Sequence, residues 1–425
     1  MPVKREELEQ RKQDSIEAAV AELNQLDLPS TSLMSLLQFG SGMLLKHAIA
    51  GEITEYLGRA HYQHGPEFKG HRNGYQKTRL DTPLGVVEYD RPKLAGAPDF
   101  HSQYHVRHMR RPGEFADAVT DMYINGISTR KVKASLKAAA GSRARLSKST
   151  VSRITKRLRD EFTQWKTRSL AELDIAYLFL DAIRIGMRLK SSPKDAVLIA
   201  YGITPAGRME LLAIDFGHSE SGSSWGKFVS DLKAHGLKDP LLVCSDGNSG
   251  LINAIEANFT TSYRQRCVKH REQNILDAVP KKEQSPVRQA LKRIFYGATS
   301  LEQAKGFVKD FKKSFGKTYP TAFERLMADL DQCLVFYLFP ANHWKRIRTS
   351  NKLERLNKEI KRRLKVLGRH PDEHGCLSLI YAVSRNYAQQ QNGFTVDDLE
   401  KAIWLRLREK KIEMLTQLEL DVWVA

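Results

Sequence analysis

Three acidic residues stand in local settings suited to one kind of chemistry. Asp181 closes the apolar run Ala-Tyr-Leu-Phe-Leu at 176–180. Asp246 ends a second run, Pro-Leu-Leu-Val-Cys-Ser at 240–245, and precedes Gly247. Glu354 lies in the basic helical stretch 348–363. Carboxylates on strand ends and on a helix can converge on hard divalent cations, and magnesium takes oxygen ligands while keeping waters for work on phosphates. Two aspartates and a glutamate would hold two Mg2+ ions, one activating the attacking oxygen and one stabilising the leaving oxygen of an in-line displacement. The expected reaction is metal-dependent phosphoryl transfer on DNA, with water attacking in cleavage and a DNA 3′-hydroxyl in strand transfer.

Neighbouring residues compete for these roles. Glu359 lies about 140° around the helix from Glu354, so the two cannot face one metal site. Leu353, Leu356, Ile360, Leu364 and Leu367 form the apolar face that docks this helix, and Glu354 flanks it. Glu359 reads as a surface partner of Arg362 and Arg363. Cys267 and His270, in Arg-Gln-Arg-Cys-Val-Lys-His, lack a second pair at zinc-site spacing, and a structural zinc needs four ligands. They are expected to brace a strand end beside the site. Trp344 is read as a core anchor in preference to a base-stacking residue.

The elements that must position the acids follow from pattern. Residues 176–188, 196–203 and 209–217 read as an antiparallel meander with a turn at 205–207. A helix over 222–236, a strand ending at Asp246, a helix from Ser249 and a strand over 263–268 complete the order β-β-β-α-β-α-β. That order is ribonuclease H-like. Asp246 and Glu354 are 108 positions apart, more than one helix and one strand require, so an inserted all-α segment is expected at 275–343.

Upstream, residues 5–60 look helical, Val86–Tyr89 reads as a short strand ahead of Pro92, and helix resumes over Glu114–Tyr123. Two short helices around Gly141, the second at 146–158, point to helix-turn-helix DNA binding, with Lys148, Thr150 and Arg153 exposed for the major groove. The fold class expected is multidomain α+β: a helical N-terminal DNA-binding region with a helix-turn-helix, and a ribonuclease H-like core interrupted by helices. The boundaries are 1–65 helical, 66–112 β and turn-rich, 113–165 helix-turn-helix, 166–274 first part of the core, 275–343 insertion, 344–390 the helix of Glu354, and 391–425 a tail.

Composition narrows the partners. The 425 residues carry a net charge of +19, which is clustered: residues 130–159 hold eleven Lys or Arg and no acid, and 345–369 hold eleven against two. Such density requires a polyanion, and Arg355, Lys358 and Arg362 are expected to meet phosphates beside the scissile bond. No apolar stretch reaches the roughly 18 residues of a membrane helix. Without a leader-like N-terminus, and with four cysteines in no paired spacing, a cytoplasmic setting is expected.

With these residues in place, the chain resembles the Mutator-type transposases of bacterial insertion sequences, a branch of the DDE transposases. The resemblance rests on Arg-Asn-Gly-Tyr at 72–75, Leu-Phe-Leu-Asp-Ala-Ile at 178–183, Ser-Asp-Gly-Asn-Ser-Gly-Leu at 245–251, Arg-Gln-Arg-Cys-Val-Lys-His at 264–270 and the segment 349–363. It covers about 30–390. It implies Asp181, Asp246 and Glu354 as catalytic triad and metal ligands, Cys267 and His270 as an accompanying pair, and two Mg2+ or Mn2+ ions as cofactor. It further implies terminal inverted repeats and target DNA as double-stranded partners, a homodimer, no membrane and a bacterial, nucleoid-associated location. Two departures are the Asn248-Ser249 pair, where more basic residues are expected, and the tail beyond 391, left open between helical packing and a partner surface. The competing readings are a structure-selective nuclease of the same fold and a non-catalytic, transposase-derived repressor.

Overall fold

The computed structural model describes residues 33–63, 69–82, 85–105, 113–125, 148–184, 196–217, 221–367, 372–390 and 396–424, with a few isolated others. It divides into two compact units, Met1–Arg157 and Leu158–Ala425.

In the first unit, helix α1 (Leu33–Leu57) packs on a hairpin of β1 (His71–Thr82) and β2 (Gly85–Ala95). Ile49, Ile53 and Leu57 of the helix bury against Leu80, Val87 and Tyr89 of the hairpin. The helix comes so close that a Cβ on Gly42 would stand 2.6 Å from the Glu88 carbonyl oxygen. The Arg-Asn-Gly-Tyr block forms an irregularity in the ladder between Arg72 and Tyr75, where Gly74 takes φ 62°, a conformation that favours glycine. Arg72 then reaches back to the Arg59 carbonyl at 2.9 Å. Strand β2 is longer than its pattern predicts and runs through Pro92, which pairs with Tyr75 beside that bulge. A two-stranded ribbon has only edges, and proline's missing N–H is tolerated there. Helix α2 (Gly113–Ile124) follows where expected. Most of the predicted helix-turn-helix, 126–158, lies outside the described residues, apart from the start of α3 (Lys148–Lys166). The side chains of Lys148, Thr150 and Arg153 are among those not described.

The second unit is built on a five-stranded mixed sheet. Its strands are β3 (Tyr177–Arg184), β4 (Ala196–Ile203), β5 (Met209–Gly217), β6 (Leu242–Ser245) and β7 (Tyr263–Arg266), in the order β5-β4-β3-β6-β7. The first three pair antiparallel, while β6 and β7 run parallel to β3, as in a ribonuclease H-like sheet. All eight residues of β4 are buried, so both faces of the sheet are covered. On one face lie α4 (Gly222–Ala234) and α5 (Ser249–Asn258), whose Trp225, Phe228, Val229, Leu251 and Ile255 meet Leu178, Leu180, Leu198 and Val243. On the other lie α12 (Asn351–Leu367) and α13 (Glu373–Gln390). The predicted docking face of α12 is buried at Leu353, Leu356, Ile360 and Leu364.

Beyond His270 the sequence reads as nearly continuous helix to about 338, but between β7 and α12 the structure is made of short pieces. The pieces are α6 (Val268–Leu276), α7 (Gln284–Lys292), a π-helical turn at Arg293–Gly297, α8 (Leu301–Phe315), α9 (Pro320–Ala328), α10 (Leu330–Cys333) and α11 (Trp344–Ile347). Pro280, Pro320 and Pro340 set three of the breaks. Trp344, expected as a core anchor, is half-buried against the rings of Phe336 and Tyr337, its indole N–H donating to the Phe339 carbonyl at 2.7 Å.

The segment beyond 391 is helix α14 (Asp398–Val424), and it packs on the sheet. Trp404 is buried edge-on to Tyr177, with ring centroids 5.2 Å apart. The Tyr177 hydroxyl meets His343 Nδ1 at 2.6 Å, and His343 Nε2 lies 3.5 Å from Glu400 of α14. Five apolar positions, Trp404, Leu405, Leu407, Trp423 and Val424, left this choice open in the sequence, because a helix docked through one aromatic shows no continuous apolar stripe. Trp404→Ala is therefore expected to destabilise the protein by about 3–5 kcal/mol. Urea denaturation of the full chain checks this; an unchanged midpoint would mean that α14 is dispensable to the core.

Candidate functional site

The parallel register of β3 and β6 brings two of the three acids together. Tyr177, Leu178 and Phe179 pair with Leu242, Val243 and Cys244. Two positions beyond the last paired residues, and just past the end of β6 at Ser245, Asp246 comes near enough for its charge to act on Asp181. Asp181 does not end its own strand: β3 continues to Arg184 against β4, and only its β6 flank falls open. Strand alternation sends Leu178, Leu180 and Val243 into the core under α4 and α5, and turns Asp181, Cys244 and Asp246 to the face covered by α12. Cys244 confirms the direction, its thiol donating to the Ile347 carbonyl at 3.2 Å.

Each carboxylate has local partners. Asp181 accepts from the Ala182 N–H at 2.9 Å and from the Asn357 amide at 2.8 Å. Asp246 accepts from the Asn248 N–H at 3.0 Å, while the Asn248 side chain caps α5 by accepting from the Leu251 N–H at 3.2 Å. The departure at Asn248 is thus explained by turn and cap geometry. Glu354, in the first turn of α12, is ion-paired with Lys269. Asn357 stands one turn along α12 from Glu354, and residues three apart share a helix face. The helix that carries the third acid therefore touches the first.

Burial pushes the Asp181 carboxyl up from 3.8 to about 6, and the negative charge of Asp246 adds to the rise; the Ala182 N–H, His270 and Asn357 oppose it. Cys267 and His270 supply a counterweight. Cys267 follows β7 and is buried, with Ser350 Oγ 3.3 Å from its sulfur. Burial raises its pKa, but hydrogen bonds from His270 and Ser350 outweigh that and leave it lowered. His270 is raised, first by its hydrogen bond to Cys267 and then by the charges of Cys267, Asp181 and Asp246, against burial. Each member of the pair thus favours the charged form of the other, and the charges of Asp181 and Asp246 add to the rise at His270.

Among the described residues, no three His, Cys, Asp or Glu side chains are gathered so as to enclose a metal ion. The arrangement is a carboxylate pair at a sheet notch, with Glu354 held aside by Lys269. Asp181, raised chiefly by burial and further by the charge of the neighbouring Asp246, fits a hard cation in its donor chemistry, because a cation would relieve both. On the exposed side of α12, Arg355 and Lys358 face solvent, whereas Arg362 is exposed but paired with Glu359 at 2.8 Å. Glu359 also holds Arg363 at 2.7 Å, as expected of a surface partner. Sequence reasoning missed Asn357, Lys269 and Ser350. A polar residue three positions from Glu354 on an otherwise basic surface was the one available signal for Asn357.

The model of the Mutator family of transposases matches residues 17–392. The chain is 33% identical over 371 residues to the transposase for insertion sequence element ISRM5 of Rhizobium meliloti, covering 86% of this chain and 92% of that protein. It is 36% identical over 245 residues to the transposase for insertion sequence element IS6120 of Mycolicibacterium smegmatis, with 58% and 75% covered. It is 31% identical over 336 residues to the transposase for insertion sequence element IS256 in transposon Tn4001 of Staphylococcus aureus, with 78% and 84% covered. Among the described residues, no helix is long and apolar enough to cross a membrane.

The raised Asp181 has a consequence for stability with a definite sign. A carboxyl whose folded pKa exceeds its unfolded value weakens the fold as pH rises through that range, here from about 4 to about 6. Asp181→Asn is expected to stabilise the metal-free protein at pH 7.5 by roughly 1–3 kcal/mol, and the gain should vanish below about pH 4. Melting curves across that range check it; a variant less stable than the parent at pH 7.5 would contradict the electrostatic reading.

Proposed function

The chain belongs to the Mutator family of transposases, and from that premise we propose that it binds the terminal inverted repeats of an insertion sequence and cleaves and joins DNA there with Asp181, Asp246 and Glu354. The observation that carries this reading is the register that sets Asp181 beside Asp246, with Asn357 of the Glu354 helix donating to Asp181. Two Mg2+ or Mn2+ ions, held by the three acids, would supply Lewis acidity at the attacking and leaving oxygens of an in-line displacement at phosphorus.

The remaining steps belong to the chain. Asp181 must be ionised to serve as a ligand, and its raised pKa means that protons would compete with a cation for it. Asn357 and the Ala182 N–H fix the orientation of its two oxygens. The His270 imidazolium offsets the charge of the two aspartates before a cation is bound. Glu354, ion-paired with Lys269 here, would be the third acid to hold the ions, and Lys269 would then be available to a phosphate. Arg355 and Lys358 are exposed on the same helix and would track the DNA backbone, with Lys148, Thr150 and Arg153 reading the element ends in a helix-turn-helix. A helical insertion at 275–343 and a homodimer that synapses two ends complete the reading.

The test uses purified full-length chain, DNA carrying the element ends, and mapped products. Asp181→Asn, Asp246→Asn and Glu354→Gln should each reduce cleavage and strand transfer by at least about a thousandfold while end binding persists. Nicking retained by all three variants rejects the assignment, and cleavage without strand transfer favours a structure-selective nuclease. End binding itself should weaken by more than about tenfold between roughly 50 and 200 mM salt. A change below about threefold would remove the phosphate-tracking role of the basic helix.

A further inference from the structure

Arg266 ends β7 and pairs in register with Ser245, the residue before Asp246. Its side chain is only 5% exposed. The guanidinium occupies the space beside the Gly247 Cα: a Cβ there would stand 1.0 Å from Nη1 and 1.7 Å from Cζ. Gly247 is not among the glycines with positive φ, so the backbone does not require glycine at this position. The arginine does.

From its other side Arg266 is held by a distant part of the chain. Asp329, at the junction of α9 and α10, lies 3.4 Å from Arg266 Nε and 3.3 Å from Arg271 Nη1. Asn274, with its amide turned to satisfy both neighbours, accepts from Arg266 Nη2 at 3.3 Å and donates to the His270 carbonyl at 3.2 Å. Two buried guanidinium groups thus share one carboxylate, and Arg266 Nε and Nη1 and Arg271 Nε and Nη2 make no hydrogen bond of good geometry. A one-to-one pair would bury less charge. The surplus sits behind the turn that presents Asp246, and it is kept there by a residue more than eighty positions away in sequence.

We propose that Arg266 is a positioning residue for Asp246: seated on Gly247 and clamped by Asp329, it fixes the Asp246–Gly247 turn and makes the helical segment around α9 and α10 part of the active site. This rests on the reading of Asp246 as a metal ligand. Groups that orient a ligand without touching the metal change affinity about 10- to 100-fold when altered. Gly247→Ala is the sharpest probe, because it evicts the guanidinium from its seat while leaving every charge in place.

The experiment measures Mn2+ binding to the full-length chain by calorimetry, thermal melting, end binding, and the Mg2+ dependence of cleavage. Gly247→Ala should weaken Mn2+ binding, and raise the Mg2+ needed for half-maximal cleavage, by about tenfold or more, with end binding and melting close to the parent. Asp329→Asn should do the same, and Asp329→Glu should restore Mn2+ affinity to within about threefold of the parent. Parental Mn2+ affinity in Gly247→Ala overturns the proposal. Should that variant fail to fold, the Asp329 pair decides: a loss in Asp329→Asn that Asp329→Glu does not restore also overturns it. Asp246→Asn serves as the control. If it binds Mn2+ like the parent, the metal role of Asp246 fails, which is a different failure from that of Arg266.

Discussion

The pairing of β3 with β6 is the constraint on which the site depends. Parallel strands cannot be joined by a tight turn, so the chain between them must travel through β4, β5 and α4 before returning. The return lands Leu242 against Tyr177, and everything else follows from strand alternation. Leu178, Leu180 and Val243 anchor the sheet to α4 and α5, while Asp181 and Asp246 are left on the opposite face. A one-residue slip would exchange the two sets, burying carboxylates under Trp225 and turning leucines outward. The hydrophobic core thereby enforces the geometry of the acids.

That geometry is unfavourable by itself. Burial of a carboxylate is costly and the charge of a second one nearby adds to it, as the rise of Asp181 to about 6 records. The structure offsets it with directed partners: an amide from α12, backbone N–H groups at both aspartates, and the charged imidazole of His270. His270 is kept charged by Cys267, which is itself stabilised by Ser350. The Cys-x-x-His block therefore works as an electrostatic unit beside the two aspartates.

Much of this was legible from residues alone. The alternation in 178–183 and 240–246, the turn after Asp246 and the apolar face of α12 define their elements locally, and the structure reproduces β4 and β5 at the residues read. The rest was hidden for identifiable reasons. Pro92 argues against a strand unless the bulge at Gly74 is known. The run after His270 keeps helical periodicity across its breaks, so its division into short pieces depends on prolines and on packing against Gln265, whose amide donates to the Cys333 carbonyl at 3.0 Å. The docking of α14 through Trp404 leaves almost no periodic trace.

The sequence by itself determined the membership of the chain in its family, the order of strands and helices and the identity of the candidate acids, because these rest on local pattern and on blocks of neighbouring residues. Tertiary structure decided which side chains meet. That Asn357 serves Asp181, that Lys269 holds Glu354, and that Arg266 lies on Gly247 with Asp329 behind it are contacts between segments tens to more than a hundred residues apart. Such contacts are selected by the packing of a whole domain and by the need to neutralise buried charge. Neither condition is written at any single position.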